Sequence, residues 1–374
     1  MKRQVNRKSV VIASLLKPVD DVRNFERFAL SLNKDFEIFI IGAPTMAALP
    51  RIAGIHFLAY PFFPRRLGQR LKACFTFMKK LWQIKPDAII VQSPDLLLFA
   101  ICYKFFYSAS LIYDVCENYR LNILHQGYYR GVKKYLLAFG VQVVELISSP
   151  FVRRYWLAEQ SYADELSFAR KKFDFVFNKF IPLKPIQPRQ RILSVEKMHL
   201  IYTGTVSRSY GAHLAIELTK KLHQFMPTVS LLVIGSCTDE NYLQELEKML
   251  DNCHFITWCV FKQPVNHQRI ISAMAVADVA IMPYLPNRST QRCIPTKIYE
   301  CLALQLPMLL PYNPLWEGLT QPYKAALHID FEGTSPEELL QKILTTKFYT
   351  LAPPEEVWKF SRTQFRQMAQ KWLT

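Results

Sequence analysis

The clearest signal for the fold lies in the stretch Ile294-Pro295-Thr296-Lys297-Ile298-Tyr299-Glu300. A strand-like run precedes it at Asp278–Met282 and another follows at Pro307–Leu310, so the stretch is predicted to form the helix of a strand–loop–helix–strand unit. Pro295 suits the first turn of a helix, and Lys297 and Glu300 then share one helix face. The free N–H groups of a helix start attract phosphate, a lysine there neutralises its charge, and a nearby carboxylate can accept ribose hydroxyls. The pattern predicts a nucleotide-diphosphate clamp, with an ordinary surface helix as the alternative.

The length and composition of the chain bound its architecture. It has 374 residues, 50% of them hydrophobic. A chain of this length is too long for one typical core and suits two domains of about 150–200 residues. Glycine is scarce, at 11 residues, so a glycine that closes an apolar run is informative. Gly42, Gly204 and Gly235 each do so.

Positive charge is concentrated in the first half of the chain. Residues 1–185 hold 28 Lys and Arg against 14 Asp and Glu, so they carry most of the formal net charge of +17. Such asymmetry points to an anionic surface, either acidic lipid or nucleic acid. The eight cysteines show no Cys-x-x-Cys pair and no ligand-like spacing, so reduced thiols are favoured over disulfides and no metal site is predicted.

Strand-like and helix-like stretches alternate along both halves of the chain. Their strands, such as Ala88–Val91 and Ser230–Ile234, are nearly continuous apolar runs, which is typical of a parallel, doubly wound sheet. Pro182, Pro185 and Pro188 interrupt the alternation among polar residues, which indicates a linker. We therefore predict an α/β protein with two Rossmann-like domains that face each other across a cleft.

A second candidate segment for anion binding follows the predicted strand His199–Tyr202. In Tyr202-Thr203-Gly204-Thr205-Val206-Ser207-Arg208 a glycine turn leads from the strand toward a helix start. Gly204 lets the backbone approach a bound anion, and the N–H groups beyond it are positioned to point at a diphosphate. A plain strand–helix turn is the alternative.

At these residues the chain resembles the retaining GT-B glycosyltransferases of the large bacterial polysaccharide and lipopolysaccharide glycosyltransferase family (group 1 type). Many members carry a Pro-x-Lys-x-x-Glu segment, which matches Pro295–Glu300. Weaker matches follow the family's order in the first half, at Asp20–Leu32, Asp87–Asp95 and Tyr113–Glu117. The resemblance covers roughly residues 9–345 and implies a nucleotide-diphosphate sugar as substrate, with no cofactor and no metal. The candidate donor-binding residues are Gly204, Thr205, Arg208, Lys297, Glu300 and Arg292.

The chain departs from the family pattern in its second half. Thr205 and Tyr210 replace a basic pair that many relatives carry after the glycine, and Arg208 is a candidate substitute for one of them. Arg292 takes the place of a second glutamate, and Gln305 that of a glycine after the helix. These departures keep open a different function, that of a catalytically degenerate module that binds a nucleotide, a glycan or a protein partner.

Three carboxylates are the candidate catalytic groups. Asp95, Asp114 and Glu117 are predicted at strand ends of the first domain, where they would orient acceptor hydroxyls or stabilise positive charge at the anomeric carbon. Cys116 takes the place of a histidine of the family, which removes a proton carrier. Capping of helix N-termini is the alternative role for the three carboxylates.

The segment 62–85 carries seven basic and no acidic residues. Its apolar residues fall at helical spacing, which suits a helix on an anionic membrane and equally a helix that packs on its own sheet; they are Leu67, Leu71, Cys74, Phe75, Met78, Leu81 and Trp82. No nucleic-acid motif appears, so nucleic acid is not an expected partner. The apolar runs Val10–Leu16 and Leu96–Tyr113 are interpreted as fold elements, not as a signal peptide or a membrane span.

Together the residues and the resemblance predict a metal-independent, retaining, hexosyltransferase-like enzyme. It would move a sugar from a nucleotide sugar to a hydroxyl of a lipid-linked or envelope-glycan acceptor. Its expected location is cytoplasmic and peripheral, on the inner face of the cytoplasmic membrane. The predicted domains are an acceptor- and membrane-facing domain at 1–181, a linker at 182–191, a nucleotide-sugar-binding domain at 192–352 and a C-terminal helix at 353–374, whose return to the first domain is left open. A nucleotide-sugar epimerase on the same fold is a weaker alternative.

Overall fold

The computed structural model describes residues 7–45, 48–61, 67–126, 129, 131–183, 185–189 and 191–374. The basic residues Arg65 and Arg66, and positions 184 and 190 of the predicted linker, lie outside this described part. The chain forms two compact units, one of Met1–Ile181 with Phe360–Thr374 and the other of Pro182–Lys359.

The first unit is built on a seven-stranded sheet. Its strands are β1 (Ser9–Pro18), β2 (Glu37–Ala43), β3 (Ile55–Ala59), β4 (Ala88–Val91), β5 (Ser110–Val115), β6 (Arg154–Leu157) and β7 (Phe173–Phe175). They lie in the order β3-β2-β1-β4-β5-β6-β7, and all neighbouring pairs are parallel. Strand β4 is fully buried, as expected for a central strand of a sheet that helices cover on both faces.

Helices connect these strands. A π-helical segment, Val22–Ala29, runs on as α1 (Leu30–Leu32), and the helices that follow are α2 (Leu67–Ile84), α3 (Pro94–Phe106), α4 (Tyr119–His125), α5 (Val132–Ser148) and α6 (Tyr162–Glu165). Asp21 caps the π-helical segment by accepting hydrogen bonds from the backbone N–H groups of Arg23 and Asn24. Helix α3 packs on both α2 and α5.

The second unit is built on a six-stranded sheet. Its strands are β8 (Met198–Thr205), β9 (Val229–Ser236), β10 (Ile256–Phe261), β11 (Val279–Ile281), β12 (Met308–Leu310) and β13 (Ala326–His328). Its helices are α7 (Ala212–Phe225), α8 (Glu240–Met249), α9 (His267–Val276), α10 (Thr296–Leu304), α11 (Pro314–Thr320), α12 (Pro336–Thr345) and α13 (Glu355–Trp358). The strand order β10-β9-β8-β11-β12-β13 is that of a Rossmann domain, and all neighbouring pairs are parallel.

The last helix, α14 (Arg362–Leu373), belongs to the first unit. The Phe365 ring stacks on Phe28, with 4.7 Å between ring centroids, and meets the edge of Trp156 at 5.1 Å. The chain re-enters the unit at Phe360, whose N–H donates to the Phe180 carbonyl at 2.8 Å. Helix α14 therefore completes the core on one face of the seven-stranded sheet.

The two sheets confirm the predicted fold class of two doubly wound, Rossmann-like α/β domains. The sequence pattern did not predict α4, α6, α11, α12 or β13. Within the described part of the chain, no helix is both long enough and apolar enough to cross a membrane.

Candidate functional site

The glycine turn predicted after β8 brings two strand ends unusually close together. Gly204 has a φ of +102°, which favours glycine, and it lies beside Gly235 in the register of β8 and β9. A Cβ at Gly235 would lie 1.9 Å from the Gly204 carbonyl oxygen, so a side chain there would force the two strands apart. On its other side, a Cβ at Gly204 would lie 3.5 Å from Cε of Lys297. The structure thus brings the glycine turn and the lysine of the predicted clamp into contact distance.

Helix α10 presents the Lys297–Glu300 pair as the sequence predicts. Pro295 is its N-cap residue, and its residues 298–304 are buried. Lys297 Nζ donates to Glu300 Oε2 at 2.6 Å, and the two side chains are 13% and 4% exposed. A pair this buried differs from an ordinary surface Lys–Glu pair, which gains little from its attraction in water.

A histidine that the sequence analysis did not select completes this cluster. His267 is the first residue of α9, and its Nε2 lies 2.9 Å from Glu300 Oε1. Burial acts to raise the pKa of Glu300, but the attraction of Lys297 and the hydrogen bond and charge of His267 outweigh it and lower the pKa to about 2. Glu300 is therefore ionised at neutral pH, with both carboxylate oxygens engaged. Its separation of 33 residues from His267 explains why no local sequence pattern shows the contact.

The position of this cluster agrees with the general rule for parallel α/β sheets. Gly204 lies at the carboxyl end of β8, and α10 follows β11, which is the strand next to β8. Strands β9 and β10 extend the sheet on one side of this pair, and β12 and β13 on the other. Ligands of such sheets bind at this reversal of strand order, outside the carboxyl ends of the strands.

Arg191 ties together the ends of the two helices that carry the cluster. Its guanidinium donates to carbonyls at the end of α9 and beyond it, including Ala277 at 2.7 Å, and to Leu304 and Gln305 at the end of α10, at 2.8 and 2.9 Å. A cation at two helix C-termini is favourable because the free carbonyls there carry partial negative charge. Arg191 lies at the end of the predicted linker, and no role was predicted for it because nothing near it in sequence reveals these partners.

The remaining predicted donor-binding residues lie in different surroundings. Thr205 is exposed at the end of β8, and its carbonyl accepts from the Tyr202 hydroxyl at 3.0 Å. Arg208 forms an ion pair with Glu245 and lies over the Tyr242 ring, 4.7 Å from its centroid. Arg292 is exposed in the turn before α10. The structure therefore brings Gly204, Lys297 and Glu300 together, whereas α8 engages Arg208.

Among the three candidate catalytic carboxylates, Asp114 is fully buried. It accepts hydrogen bonds from Arg23 Nε at 2.8 Å, Arg23 Nη2 at 2.5 Å and Gln92 Nε2 at 2.7 Å, and the Cys116 thiol lies 3.2 Å away. Arg23 in turn donates to Asn178 Oδ1 at 2.8 Å. Arg23, Gln92 and Asp114 come from the three weak sequence matches of the first half, which therefore meet in this network. Burial raises the pKa of the Cys116 thiol to about 12. This geometry is that of a structural ion pair, and the predicted catalytic role of Asp114 stays a prediction that the geometry does not favour.

Asp95 and Glu117 are more accessible than Asp114. Asp95, in the first turn of α3, accepts from Arg70 Nη2 at 2.6 Å, with about a quarter of each side chain exposed. Glu117 is exposed and accepts from Asn122 Nδ2 at 2.7 Å. Glu117 is therefore the most accessible of the three candidate carboxylates.

No group of three or more His, Cys, Asp or Glu side chains within the described residues has a geometry that could hold a metal ion. Whether sugar transfer needs a metal is a separate question of chemistry, so metal independence stays a prediction.

Comparison with known proteins finds a family match in the second half of the chain. Residues 184–346 match the family model of glycosyl transferases group 1. No curated protein sequence matches the chain closely enough to be counted as a relative.

Solved structures with a similar fold match nearly the whole chain. HepE of Anabaena in complex with UDP has a TM-score of 0.63 and 14% identity, over 97% of this chain and 98% of that one. Sucrose-phosphate synthase from Thermosynechococcus elongatus has a TM-score of 0.68 and 11% identity, over 98% and 95%. WaaG, a glycosyltransferase involved in lipopolysaccharide biosynthesis, has a TM-score of 0.62 and 13% identity, over 97% and 95%. These structures show that the chain has the GT-B fold, and the family match shows that its residues 184–346 are similar to the group 1 glycosyl transferases.

Proposed function

We propose that the protein transfers a sugar from a nucleotide-diphosphate sugar to an acceptor hydroxyl, with retention of configuration and without a metal. One observation carries the proposal. At the end of β8, Lys297 lies against the Gly204 turn and pairs at 2.6 Å with the buried Glu300. A cation and a helix start at a strand end are the groups that neutralise a leaving diphosphate.

The contacts of the cluster suggest how it would bind a donor. Lys297 has a flexible side chain, so its Nζ can turn from Glu300 Oε2 to a phosphate oxygen when a diphosphate binds. Glu300 would stay held at Oε1 by His267, which leaves Oε2 to accept a ribose hydroxyl. The low pKa of Glu300 keeps the carboxylate in its accepting form throughout the physiological range. Lys297 is thus assigned to the diphosphate and Glu300 to the ribose.

The donor base and the acceptor are finer parts of the proposal. HepE, a structure of similar fold, has been solved with UDP, UDP and glucose, and UDP-glucose, which makes a uridine-linked hexose the first donor to test. The similarity to WaaG supports an acceptor that is lipid-linked or part of an envelope glycan. A peripheral location on the inner face of the cytoplasmic membrane follows from such an acceptor. Glu117, exposed at the end of β5, is the carboxylate that we assign to the acceptor side.

A thermal-shift panel of UDP-, GDP-, ADP- and CMP-linked sugars tests the donor site. We expect one base to raise the unfolding midpoint of the wild type, because a ligand that binds only the folded state stabilises it. Lys297→Ala removes a charge-assisted contact worth about 1.5–3 kcal/mol, so it should weaken binding roughly 10- to 150-fold. Lys262→Ala is the matched control, since Lys262 also pairs with a glutamate of this unit but is 69% exposed. An equal shift in wild type and Lys297→Ala would refute the clamp.

A second function, that of a binding module without transfer activity, is favoured by one observation. Arg208, the candidate substitute for the missing basic pair, is engaged by Glu245 on α8. The two functions are distinguished by incubating the donor that gives a shift with candidate acceptors and measuring release of the nucleoside diphosphate. Release that depends on the acceptor and is lost in Lys297→Ala supports transfer, and NMR of the product then reports its anomeric configuration. Binding without release in the presence of any acceptor would support the binding module.

A further inference from the structure

Helix α5 turns several large apolar side chains to solvent while it buries a glutamate. Its buried residues are Ala138, Glu145 and Ser148. The exposed apolar side chains include Val132, Leu136 and Phe139, which are exposed by 73%, 67% and 65%. An amphipathic helix of a domain normally turns its apolar face to the core. Glu145 is buried, and its Oε1 accepts from the Tyr113 hydroxyl of β5 at 2.8 Å, so the side of α5 that carries Glu145 packs on β5.

The neighbouring helices extend this exposed apolar surface. On α3, Phe105 and Phe106 are each 70% exposed, and on α2, Phe75 and Trp82 are about half exposed. Trp82 meets Phe106 at 5.7 Å between ring centroids, so the exposed side chains of α2 and α3 touch. Helix α3 also packs on α5. The exposed apolar side chains of α2, α3 and α5 together form the apolar face of the first unit, which is more than the scattered single residues of an ordinary surface.

The exposed charged side chains of these three helices have one sign. Exposed lysines accompany it on α2 and α5, at Lys72, Lys79 and Lys133. The acidic residues of the three helices are Asp95, which pairs with Arg70, and Glu145, which is buried. The rim of the face is therefore basic, and no acidic side chain of these helices offsets it.

A polar cavity of about 640 Å³ borders one end of the apolar face. The exposed Phe105 ring meets the edge of Phe151, with 5.6 Å between ring centroids, and Phe151 lines the cavity. The cavity opens at the first residue of β5, the end opposite to Asp114, so it lies apart from the candidate acceptor side. Its charged lining consists mainly of basic side chains: Lys8, Lys104, Arg153 and Lys172, with Asp87.

We propose that the apolar face lies in the interfacial region of an anionic lipid membrane, with α5 as its main inserted element. Apolar side chains would enter the boundary between headgroups and acyl chains, and the basic rim would contact acidic headgroups. A second copy of the chain fits this face less well, because a symmetric contact would bring two basic rims together. The proposal names the surface of the protein that would contact the membrane at the location proposed above. It rests only on the first unit, so it stands or falls independently of donor binding.

Vesicle flotation tests the proposal with the full-length protein. The wild type should float with vesicles of phosphatidylcholine containing about 30 mol% phosphatidylglycerol and bind far more weakly to phosphatidylcholine alone. Leu136→Glu/Phe139→Glu puts two charges on the exposed side of α5 and should abolish flotation. Phe225→Glu is the matched control, since Phe225 is 56% exposed on α7 of the second unit, and it should float as the wild type does. Circular dichroism and the unfolding midpoint establish that each variant is folded.

A second variant keeps the test decisive if the α5 double mutant does not fold. Lys79→Gln/Lys133→Gln removes two exposed charges and should weaken binding to the anionic vesicles roughly tenfold or more. Trp82 offers a direct readout, because brominated phospholipid should quench its fluorescence in the bound wild type, and Trp82→Phe should lose that quenching. The proposal would be overturned if the wild type did not float. It would also be overturned if the two double mutants, Leu136→Glu/Phe139→Glu and Lys79→Gln/Lys133→Gln, floated as the wild type does. A wild-type dimer that Leu136→Glu/Phe139→Glu dissociates would overturn it too, since a second copy would then cover the face.

Discussion

At the residue scale, two buried glutamates have pKa values that their surroundings shift in opposite directions. Glu300 is buried with Lys297 and His267, and the attraction of these partners outweighs burial and lowers its pKa from 4.5 to about 2. Burial raises the pKa of Glu145 from 4.5 to about 7, because its Tyr113 hydrogen bond opposes the shift only in part. A glutamate side chain is thus stabilised in its charged form at Glu300 and in its neutral form at Glu145, where α5 packs on β5.

The lowered pKa of Glu300 predicts acid sensitivity of the second unit. Because the folded pKa lies below the unfolded one, the charged group contributes stability above pH 4.5, of about 3 kcal/mol, which is lost as the pH falls toward 2. Glu300→Gln should flatten that acid dependence in urea unfolding followed by tryptophan fluorescence. Glu240→Gln, which alters a fully exposed glutamate of the same unit, serves as the control. An unchanged acid limb in Glu300→Gln would contradict the prediction.

The raised pKa of Glu145 predicts the opposite dependence in the first unit. Between pH 4.5 and 7 the folded state binds the proton more tightly than the unfolded chain, so stability should fall as the pH rises through this range. Glu145→Gln keeps an acceptor for Tyr113 but has no charge to bury. It should therefore be more stable than the wild type at pH 8, by up to about 3 kcal/mol, in the same urea experiment. Wild-type stability that stays level from pH 5 to pH 7 would refute the assignment.

At the element scale, α10 ends on an unusual residue. Gln305 follows it in the left-handed conformation, with a φ of +49°, where the family pattern has a glycine. A side chain in this conformation costs about 1 kcal/mol, and Arg191 binds the carbonyls of Leu304 and Gln305 at the same place. The helix end is thus held by a distant arginine instead of a favourable local residue.

Gln305→Gly is therefore expected to stabilise the second unit. Glycine removes the strain of the left-handed conformation while the carbonyl contacts of Arg191 remain, so the gain should be about 0.5–1 kcal/mol. The measurement is the urea midpoint of unfolding. Gln305→Ala is the control, because alanine keeps a Cβ and with it the strain. A destabilised Gln305→Gly would mean that the glutamine side chain has a role of its own.

The elements also show where sequence patterns suffice and where they fail. The predicted strand Ala88–Val91 coincides with β4, because a continuous apolar run between turns defines a central parallel strand. The alternation predicts a helix between β5 and β6, but periodicity does not tell which face of α5 meets the sheet. The Lys297–Glu300 pair is local and was predicted. His267 and Arg191 reach the site through tertiary packing, so no sequence spacing reveals them.

At the scale of the whole molecule, the chain path makes the first unit depend on the last residues. The chain leaves this unit at Ile181 and returns at Phe360, and the residues between them, Pro182–Lys359, form the second unit. Phe365 is buried against Phe28 and Trp156, and Arg366 pairs with Asp35. The second unit has a separate core, which its own strands and helices form.

Truncation after Lys359 should therefore damage the first unit and spare the second. The loss of α14 exposes the rings of Phe28 and Trp156, whereas the donor cluster of Lys297, Glu300 and His267 lies entirely in the second unit. We expect the truncated chain to lose the unfolding transition of the first unit. The unfolding midpoint of the second unit should still rise when the donor binds. In the full chain, Phe365→Ala should act in the same direction, at a cost of about 3–5 kcal/mol in the first unit. If the truncated chain kept both transitions unchanged, α14 would be an appendage of the first unit and not part of its core.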